Sequence, residues 1–323
     1  MIKNKKILIT GGAGFIGSRV AERLYEHNEV VLLDTVFGPN TPYSWTPLNG
    51  KVACLTESVV SYEQFKRTFE GVQICVHCAA VLGVKNVMEH PKHTLETNIN
   101  GTLNVLKAFT EYGNPERFVF FSTSEIFGEN AFKVEEGSNT FLKGINDVRW
   151  CYAISKIAGE HLTLSYYREE KLPAVIVRPF NVYGPGRLGD HVMKRFILQA
   201  LRDENITIYQ DGSQIRSWCY IDDFVDAVLQ TMELGSAVGE AFNIGNPLST
   251  LTVYALAEKI RALTQSKSQI VFLSPDITDI DLRIPDINKA KNILNFSPKV
   301  YIEEGLRHTI NWYRNMMGNG IEA

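Results

Sequence analysis

Tyr152 and Lys156 stand four residues apart in Trp150-Cys151-Tyr152-Ala153-Ile154-Ser155-Lys156, a spacing that puts both on one face of a helix. An ammonium beside a phenol stabilises the phenolate and turns an inert hydroxyl into a base able to take a proton from an alcohol. That spacing is common on its own and gains meaning from two other clusters. One is Phe120-Phe121-Ser122-Thr123-Ser124-Glu125-Ile126-Phe127-Gly128, where an apolar run ends in two hydroxyls and a carboxylate, Thr123, Ser124 and Glu125. Groups just beyond the carboxyl ends of parallel strands line the ligand crevice, so these three join Tyr152 and Lys156 as catalytic candidates. The other is Thr10-Gly11-Gly12-Ala13-Gly14-Phe15-Ile16-Gly17-Ser18. Gly11, Gly14 and Gly17 at a strand-to-helix junction allow a tight turn and a close approach of pyrophosphate to backbone. The N–H groups of Phe15, Ile16 and Gly17 then face the anion. Asp34 closes the next strand, where a carboxylate accepts hydrogen bonds from a ribose diol and repels a 2′-phosphate, which selects NAD over NADP.

These groups need a parallel sheet to bring them together, and the first half of the chain supplies the pattern for one. Strand-like runs at 6–10, 30–34, 74–79, 117–122 and 174–179 alternate with helical patterns at 19–27, 64–69, 94–112 and 152–169. KILIT, VVLLD, FVFFS and AVIVR are apolar throughout, as expected of strands covered on both faces. The fold class is therefore α/β, a Rossmann-type doubly wound parallel sheet. After Pro179 the rhythm breaks into the Gly/Pro-containing loops 183–189 and 210–213, with helices expected at 192–202, 221–234 and 252–264. We expect a dinucleotide-binding domain over 1–180 and a smaller, irregular α/β substrate lobe over 181–323, with the chain free to cross between them.

A chain of 323 residues, 45% hydrophobic and 21% charged, is long and apolar enough to bury a full core, which excludes a disordered segment or a small stapled scaffold. With 33 basic against 36 acidic residues the net charge is −3, so nothing favours a nucleic-acid or anionic-membrane partner, and small neutral or anionic ligands remain open. The apolar stretch after the basic residues 1–6 stops at Gly11, too short for a signal-peptide core, and no uninterrupted apolar run of about 18 residues follows. The expectation is a cytoplasmic protein. Cys54, Cys75, Cys78, Cys151 and Cys219 are odd in number and lack disulfide spacing, and the C-x-x-C of Cys75 and Cys78 falls in 72–81, which reads as a buried strand rather than a metal clasp. His77 and His191 have no second ligand at metal spacing, so no metal is expected. Trp150 and Trp218 are expected to pack the crevice walls.

Taken together, GGAGFIGS at 11–18, HCAA at 77–80, NINGT at 98–102, STSEIFG at 122–128, YAISK at 152–156 and RPFNVYGPG at 178–186 resemble the extended short-chain dehydrogenase/reductase family of NAD-dependent nucleotide-sugar epimerases, dehydratases and decarboxylases. The resemblance runs from Lys6 to about Tyr313. It implies NAD as cofactor and a nucleoside diphosphate sugar as substrate. Tyr152 would be the base, Lys156 would hold the nicotinamide ribose, and Thr123 would bond the C4 oxygen being oxidised. Ala79 and Asn98 would lie among the cofactor contacts. Asn181, Arg216 in DGSQIRSWCYIDD (211–223) and Arg283 in DLRIPD (281–286) would bind the nucleotide diphosphate, with Arg187 of the loop 187–192 beside them. Arginine suits that work because its planar fork pairs bidentately with phosphate. Many relatives carry an Asp after the third strand that reads the adenine amine; here the matching stretch is Ala53-Cys54-Leu55-Thr56-Glu57, with Cys54 in that place.

Family 4,6-dehydratases carry Thr-Asp-Glu where this chain has Thr123-Ser124-Glu125, and a serine is a poor general acid near neutral pH. Thr-Ser-Glu together with Arg149-Trp150-x-Tyr152 looks most like the uridine diphosphate-glucuronate decarboxylases. The resemblance then implies that C4 is oxidised and that the ketone, β to the C6 carboxylate, lets carbon dioxide depart. Arg216 would stand near C5 and C6 as proton donor or carboxylate clamp, and Arg149 is a further cation without an assigned role. C4 epimerisation, 4,6-dehydration, net C4 oxidation and a silent NAD-binding regulator built on the same fold are the alternatives. Helices 94–112 and 152–169 resemble the pair that forms a four-helix dimer interface in relatives, so a homodimer is expected.

Overall fold

The computed structural model describes residues 2–48, 50–189, 191–274 and 280–318, leaving aside the side chain of Trp45. Seven strands form the central sheet: β1 (Lys6–Thr10), β2 (Glu29–Asp34), β3 (Ala53–Thr56), β4 (Ile74–His77), β5 (Arg117–Phe121), β6 (Ala174–Pro179) and β7 (Ala241–Ile244). Every pairing is parallel and the order is β7-β6-β5-β4-β1-β2-β3. Strand order reverses between β1 and β4, so the crevice beyond their carboxyl ends is where a ligand belongs.

The uniformly apolar strands have a direct cause in the packing. Ile7 and Ile9 of β1, Ile74 and Val76 of β4, and Val119 and Phe121 of β5 belong to the core on one face, whereas Leu8, Cys75, Phe118 and Phe120 belong to the core on the other. Successive side chains point to opposite faces, and here each face is dry. Helix α1 (Phe15–Leu24) begins straight out of the glycine turn, four residues before the periodicity places it. The helix expected at 64–69 is two short turns, Tyr62–Phe65 and Lys66–Phe69. The helix expected at 94–112 is interrupted: Pro91–Leu95 runs into a π turn at Glu96–Asn100 before α2 (Gly101–Tyr112). α3 (Cys151–Glu170) carries the tyrosine and the lysine.

The smaller lobe is built on a four-stranded sheet in the order Thr250–Thr252, Ile215–Ser217, Leu282–Pro285, Asn130–Val134. Asn130–Val134 joins this sheet from before residue 180, and β7 returns to the central sheet from after it, so segments on both sides of residue 180 build each sheet. Arg19 on α1 reaches Asp222 of the helix Ile221–Glu233 at 3.2 Å, an ion pair that links the two halves of the sequence. No helix among the described residues is long and apolar enough to cross a membrane.

Candidate active site

The glycine turn has the shape its sequence requires. Gly11 adopts a left-handed φ of +69°, and a Cβ there would lie 2.7 Å from Ala79 N and 2.9 Å from Cys78 C, where the first turn meets the end of β4. Gly17 is the second constrained position, since a Cβ on it would stand 2.3 Å from Gly11 O. Gly14 caps α1 with its backbone only; among the described residues no side chain bonds the first-turn N–H groups of Phe15, Ile16 and Gly17, which suits an anion there. Asp34 ends β2 and accepts N–H bonds from Ala13 at 3.0 Å and Thr35 at 2.8 Å. Burial pushes its carboxyl pKa up, and those backbone bonds oppose the rise. A tight cradle that a Cβ would fill, an uncapped helix N-terminus and a fixed carboxylate at the end of β2 fit an adenine dinucleotide. Cys54, on the edge strand β3, is exposed, with Sγ 3.9 Å from Val52 O.

Tyr152 and Lys156 lie one turn apart at the start of α3. Lys156 is 3% exposed, donates from Nζ to Phe121 O at 2.7 Å and stands 6.0 Å from the Tyr152 ring centroid. Burial lowers its pKa to about 8. The half-buried Tyr152 phenol is pushed up by burial and then by the charge of Glu125, whereas a hydrogen bond with Thr123 and the charges of Arg187 and Arg283 pull it back. Thr123 caps the 3₁₀ turn Ser124–Phe127, its Oγ1 accepting from Glu125 N at 3.2 Å. Ser124 is buried beside it. Glu125 sits between two buried guanidiniums, with Oε2 3.8 Å from Arg149 Nη1 and Oε1 3.7 Å from Arg283 Nη1.

The remaining candidates lie on the four-stranded sheet, Arg216 and Arg283, and in the segment after β6, Asn181 and Arg187. Arg216 and Arg283 are direct partners across the parallel strands Ile215–Ser217 and Leu282–Pro285, so two guanidiniums stand on one face side by side. Arg216 donates to Ile215 O at 3.0 Å and Ile280 O at 2.5 Å; Arg283 donates to Gly128 O at 3.3 Å. Asn181, at φ +38°, donates to Ser217 O at 3.0 Å and ties its loop to the same strand. Arg187 lies 5.4 Å from the Phe15 ring, over the start of α1, and its backbone carbonyl accepts from Tyr313 OH. Its Nε has no hydrogen-bond partner among the described residues, and burial lowers its pKa.

With the geometry in place, the comparisons decide the family. The model described as "NAD dependent epimerase/dehydratase family" matches residues 7–245. This chain belongs to that family. It is 34% identical over 322 residues, 97% of this chain and 98% of the relative, to the UDP-N-acetyl-alpha-D-glucosaminuronate decarboxylase of Bacillus cytotoxicus. It is 35% identical over 309 residues, 94% of this chain and 87% of the relative, to UDP-glucuronic acid decarboxylase 6 of Arabidopsis thaliana. Among solved structures, the UDP-glucuronic acid 4-epimerase of Bacillus cereus, crystallised with UDP-glucuronic acid and NAD, superposes with a TM-score of 0.86 at 27% identity, covering 96% of this chain and 99% of that one. The chain is thus an NAD-dependent enzyme of nucleotide-sugar modification, built on the Rossmann-type sheet its strands indicate.

Within this epimerase/dehydratase fold, the structure brings Thr123, Glu125, Tyr152, Lys156 and Arg283 into one cluster and puts Gly11, Gly14, Gly17 and Asp34 around the turn. Asn98 is placed differently from a simple ligand contact. Its side chain accepts from Val81 N at 2.7 Å and donates to Val81 O at 3.0 Å and to Ser155 Oγ at 2.9 Å, tying the segment after β4 to α3. Ala79 N donates to Thr10 Oγ1 at 3.3 Å. Two elements of this frame escaped the sequence reading. Ser155, within YAISK, anchors Asn98. His77 bridges Thr10 Oγ1 at 2.6 Å and Thr102 Oγ1 at 3.1 Å across the switch point. The available signal was a polar residue, His77, ending an otherwise apolar strand. Both thiols of the C-x-x-C are pushed up by burial, and all five cysteines are free.

Proposed function

We propose that this enzyme decarboxylates a uridine diphosphate hexuronate by way of a 4-keto sugar. The observation that carries the reading is Glu125 held between the buried Arg149 and Arg283, two residues after Thr123. A cationic wall next to the carbon being oxidised suits a sugar whose neighbouring carbon bears a carboxylate. The two relatives named as hexuronate decarboxylases support the same choice.

Bound NAD supplies a two-electron acceptor for C4 and returns the electrons at the end. Gly11, Gly14, Phe15, Ile16, Gly17 and Asp34 would hold it, with Ala79 and Asn98 shaping the adjacent wall and Lys156 on the ribose. Asn181, Arg187, Arg216 and Arg283 would take the nucleotide diphosphate. Tyr152 Oη takes the proton of the C4 hydroxyl, and Thr123 shares the C4 oxygen. With C4 a ketone, the C5–C6 bond breaks, its electron pair moves to the C4 oxygen as an enolate, and carbon dioxide leaves. Tyr152 keeps the proton it took and donates a hydrogen bond to that enolate; a proton delivered to C5 from the side of Glu125 restores the ketone, and Tyr152 returns its proton to the C4 oxygen when the two electrons come back to C4. Ser124 in place of an acid leaves no group to expel a C6 hydroxyl, which disfavours dehydration.

The test is incubation with UDP-glucuronate and NAD, with released carbon dioxide and product mass as readouts. Loss of carbon dioxide is expected; a product of unchanged mass but inverted C4 would mean epimerisation, and loss of water from UDP-glucose, run alongside, would mean dehydration. Binding of NAD without turnover of any nucleotide sugar would mean a silent regulator. We further infer a homodimer through α2 and α3, where Leu103 and Ile154 are exposed at 39% and 44%; sedimentation at a monomer's mass would contradict it. A cytoplasmic location agrees with a nucleotide-sugar substrate and a freely diffusing cofactor, and fractionation of cells tests it.

A further inference from the structure

Arg149 is 5% exposed, yet its guanidinium donates no hydrogen bond among the described residues; Nε and Nη1 are both buried without a partner. Among the described residues the one carboxylate paired with it, Glu125, stands at 3.8 Å, too far for a hydrogen bond. Asp147, two residues before it, is already used: Oδ1 accepts from Arg149 N and Oδ2 from Trp150 Nε1, each at 3.2 Å. The Asp147 bonds fix the Trp150 indole, and the guanidinium lies 5.0 Å from that ring, so the head group is held in place by its own turn, Val148–Trp150. The other two arginines near the reacting end differ. Arg216 and Arg283 each donate to backbone carbonyls. A buried fork with unfilled donors is costly unless an anion completes it.

We propose that Arg149 is the specificity residue that receives the sugar's C6 carboxylate, an inference that rests on the hexuronate reading above. Arg149 is three residues ahead of Tyr152 and enters the 3₁₀ turn that opens into α3, so it reaches the site from the side of the phenol that takes the C4 proton. C5, which bears the carboxylate, is bonded to C4. A carboxylate there can accept two parallel N–H bonds from the fork, whereas the hydroxymethyl group of a neutral hexose leaves the same donors unfilled. Arg149 thus distinguishes hexuronate from hexose at the carbon next to the one oxidised.

The experiment is calorimetric titration of UDP-glucuronate and UDP-glucose into the enzyme loaded with reduced NAD, which cannot accept electrons from C4, for the native chain, Arg149→Gln and Arg149→Lys. The native enzyme is expected to prefer UDP-glucuronate. Arg149→Gln should weaken UDP-glucuronate about 30-fold and change UDP-glucose by less than about twofold. Arg149→Lys, which keeps the charge but loses the fork, should weaken UDP-glucuronate about 10-fold. Equal weakening of both sugars, or of neither, overturns the role of Arg149 while the hexuronate reading stands. A native enzyme that binds both sugars alike overturns the hexuronate reading and this inference with it. Should Arg149→Gln fail to bind reduced NAD, marking a folding defect, the lysine variant decides by the same comparison.

Discussion

Replacing Gly11 with Ala tests whether the first turn is a cofactor cradle whose shape depends on a missing side chain. The left-handed φ of +69° costs an L-residue roughly 1 kcal/mol. The added Cβ would lie 2.7 Å from Ala79 N and 2.9 Å from Cys78 C, against backbone of β4's end rather than a flexible side chain that could swing away. Easing that contact by several tenths of an ångström adds about 2 kcal/mol, for roughly 3 kcal/mol in all. If the turn keeps its shape, the loss appears in denaturant unfolding. If it yields, the N–H groups of α1 no longer face the pyrophosphate, and the dissociation constant for NAD rises about 100-fold. Titration of NAD followed by tryptophan fluorescence, together with urea unfolding, captures both routes. Gly235→Ala is the control, because a Cβ there meets nothing within 4 Å, and its stability should change by less than about 0.5 kcal/mol. An NAD affinity within twofold of native and an unchanged unfolding midpoint for Gly11→Ala would refute the reasoning.

Two further outcomes follow from the same frame. His77 is 1% exposed, and burial, then the Lys156 charge, lowers its pKa to about 3 from an ordinary value of 6.5. The unfolded chain therefore binds the extra proton first, so stability is complete above pH 6.5 and falls as pH drops toward 3, by about 2 kcal/mol at pH 5. His77→Gln should flatten that acid slope in urea unfolding between pH 7 and 5, and an undiminished slope would assign it to other groups. Asp34→Ser removes both the ribose acceptor and the charge that repels a 2′-phosphate, so NAD should bind about 10-fold more weakly and NADP more tightly; a variant that still rejects NADP would take cofactor selection away from Asp34.

What the sequence made legible was whatever depends on local period and on glycine. The apolar strands announce a sheet covered on both faces, and the turn 10–18 announces its own shape, because no other residue fits at Gly11 and Gly17. Tyr152 and Lys156 share a face at helical spacing wherever α3 packs. Features made by distant segments were not legible. The π turn at Glu96–Asn100 breaks an uninterrupted helical pattern where Asn98 bonds Val81, a tertiary contact invisible to periodicity. Asn130–Val134 and β7 change lobes because their pairing partners, Leu282–Pro285 and Ala174–Pro179, are remote in sequence. The side-by-side register of Arg216 and Arg283 follows from that same pairing. The unfilled donors of Arg149 depend on where Glu125 and Asp147 stop, to within an ångström, and no spacing rule encodes that.

The claim on which the account rests is that the Tyr152 phenol removes the proton from the C4 hydroxyl. Mixing NAD-loaded enzyme with UDP-glucuronate under single-turnover conditions and following the near-ultraviolet absorbance of reduced NAD, for the native chain and for Tyr152→Phe, measures that step. The account predicts that the phenylalanine variant binds NAD as the native enzyme does and loses reduction by at least about 100-fold. Reduction at a near-native rate without the hydroxyl would contradict it.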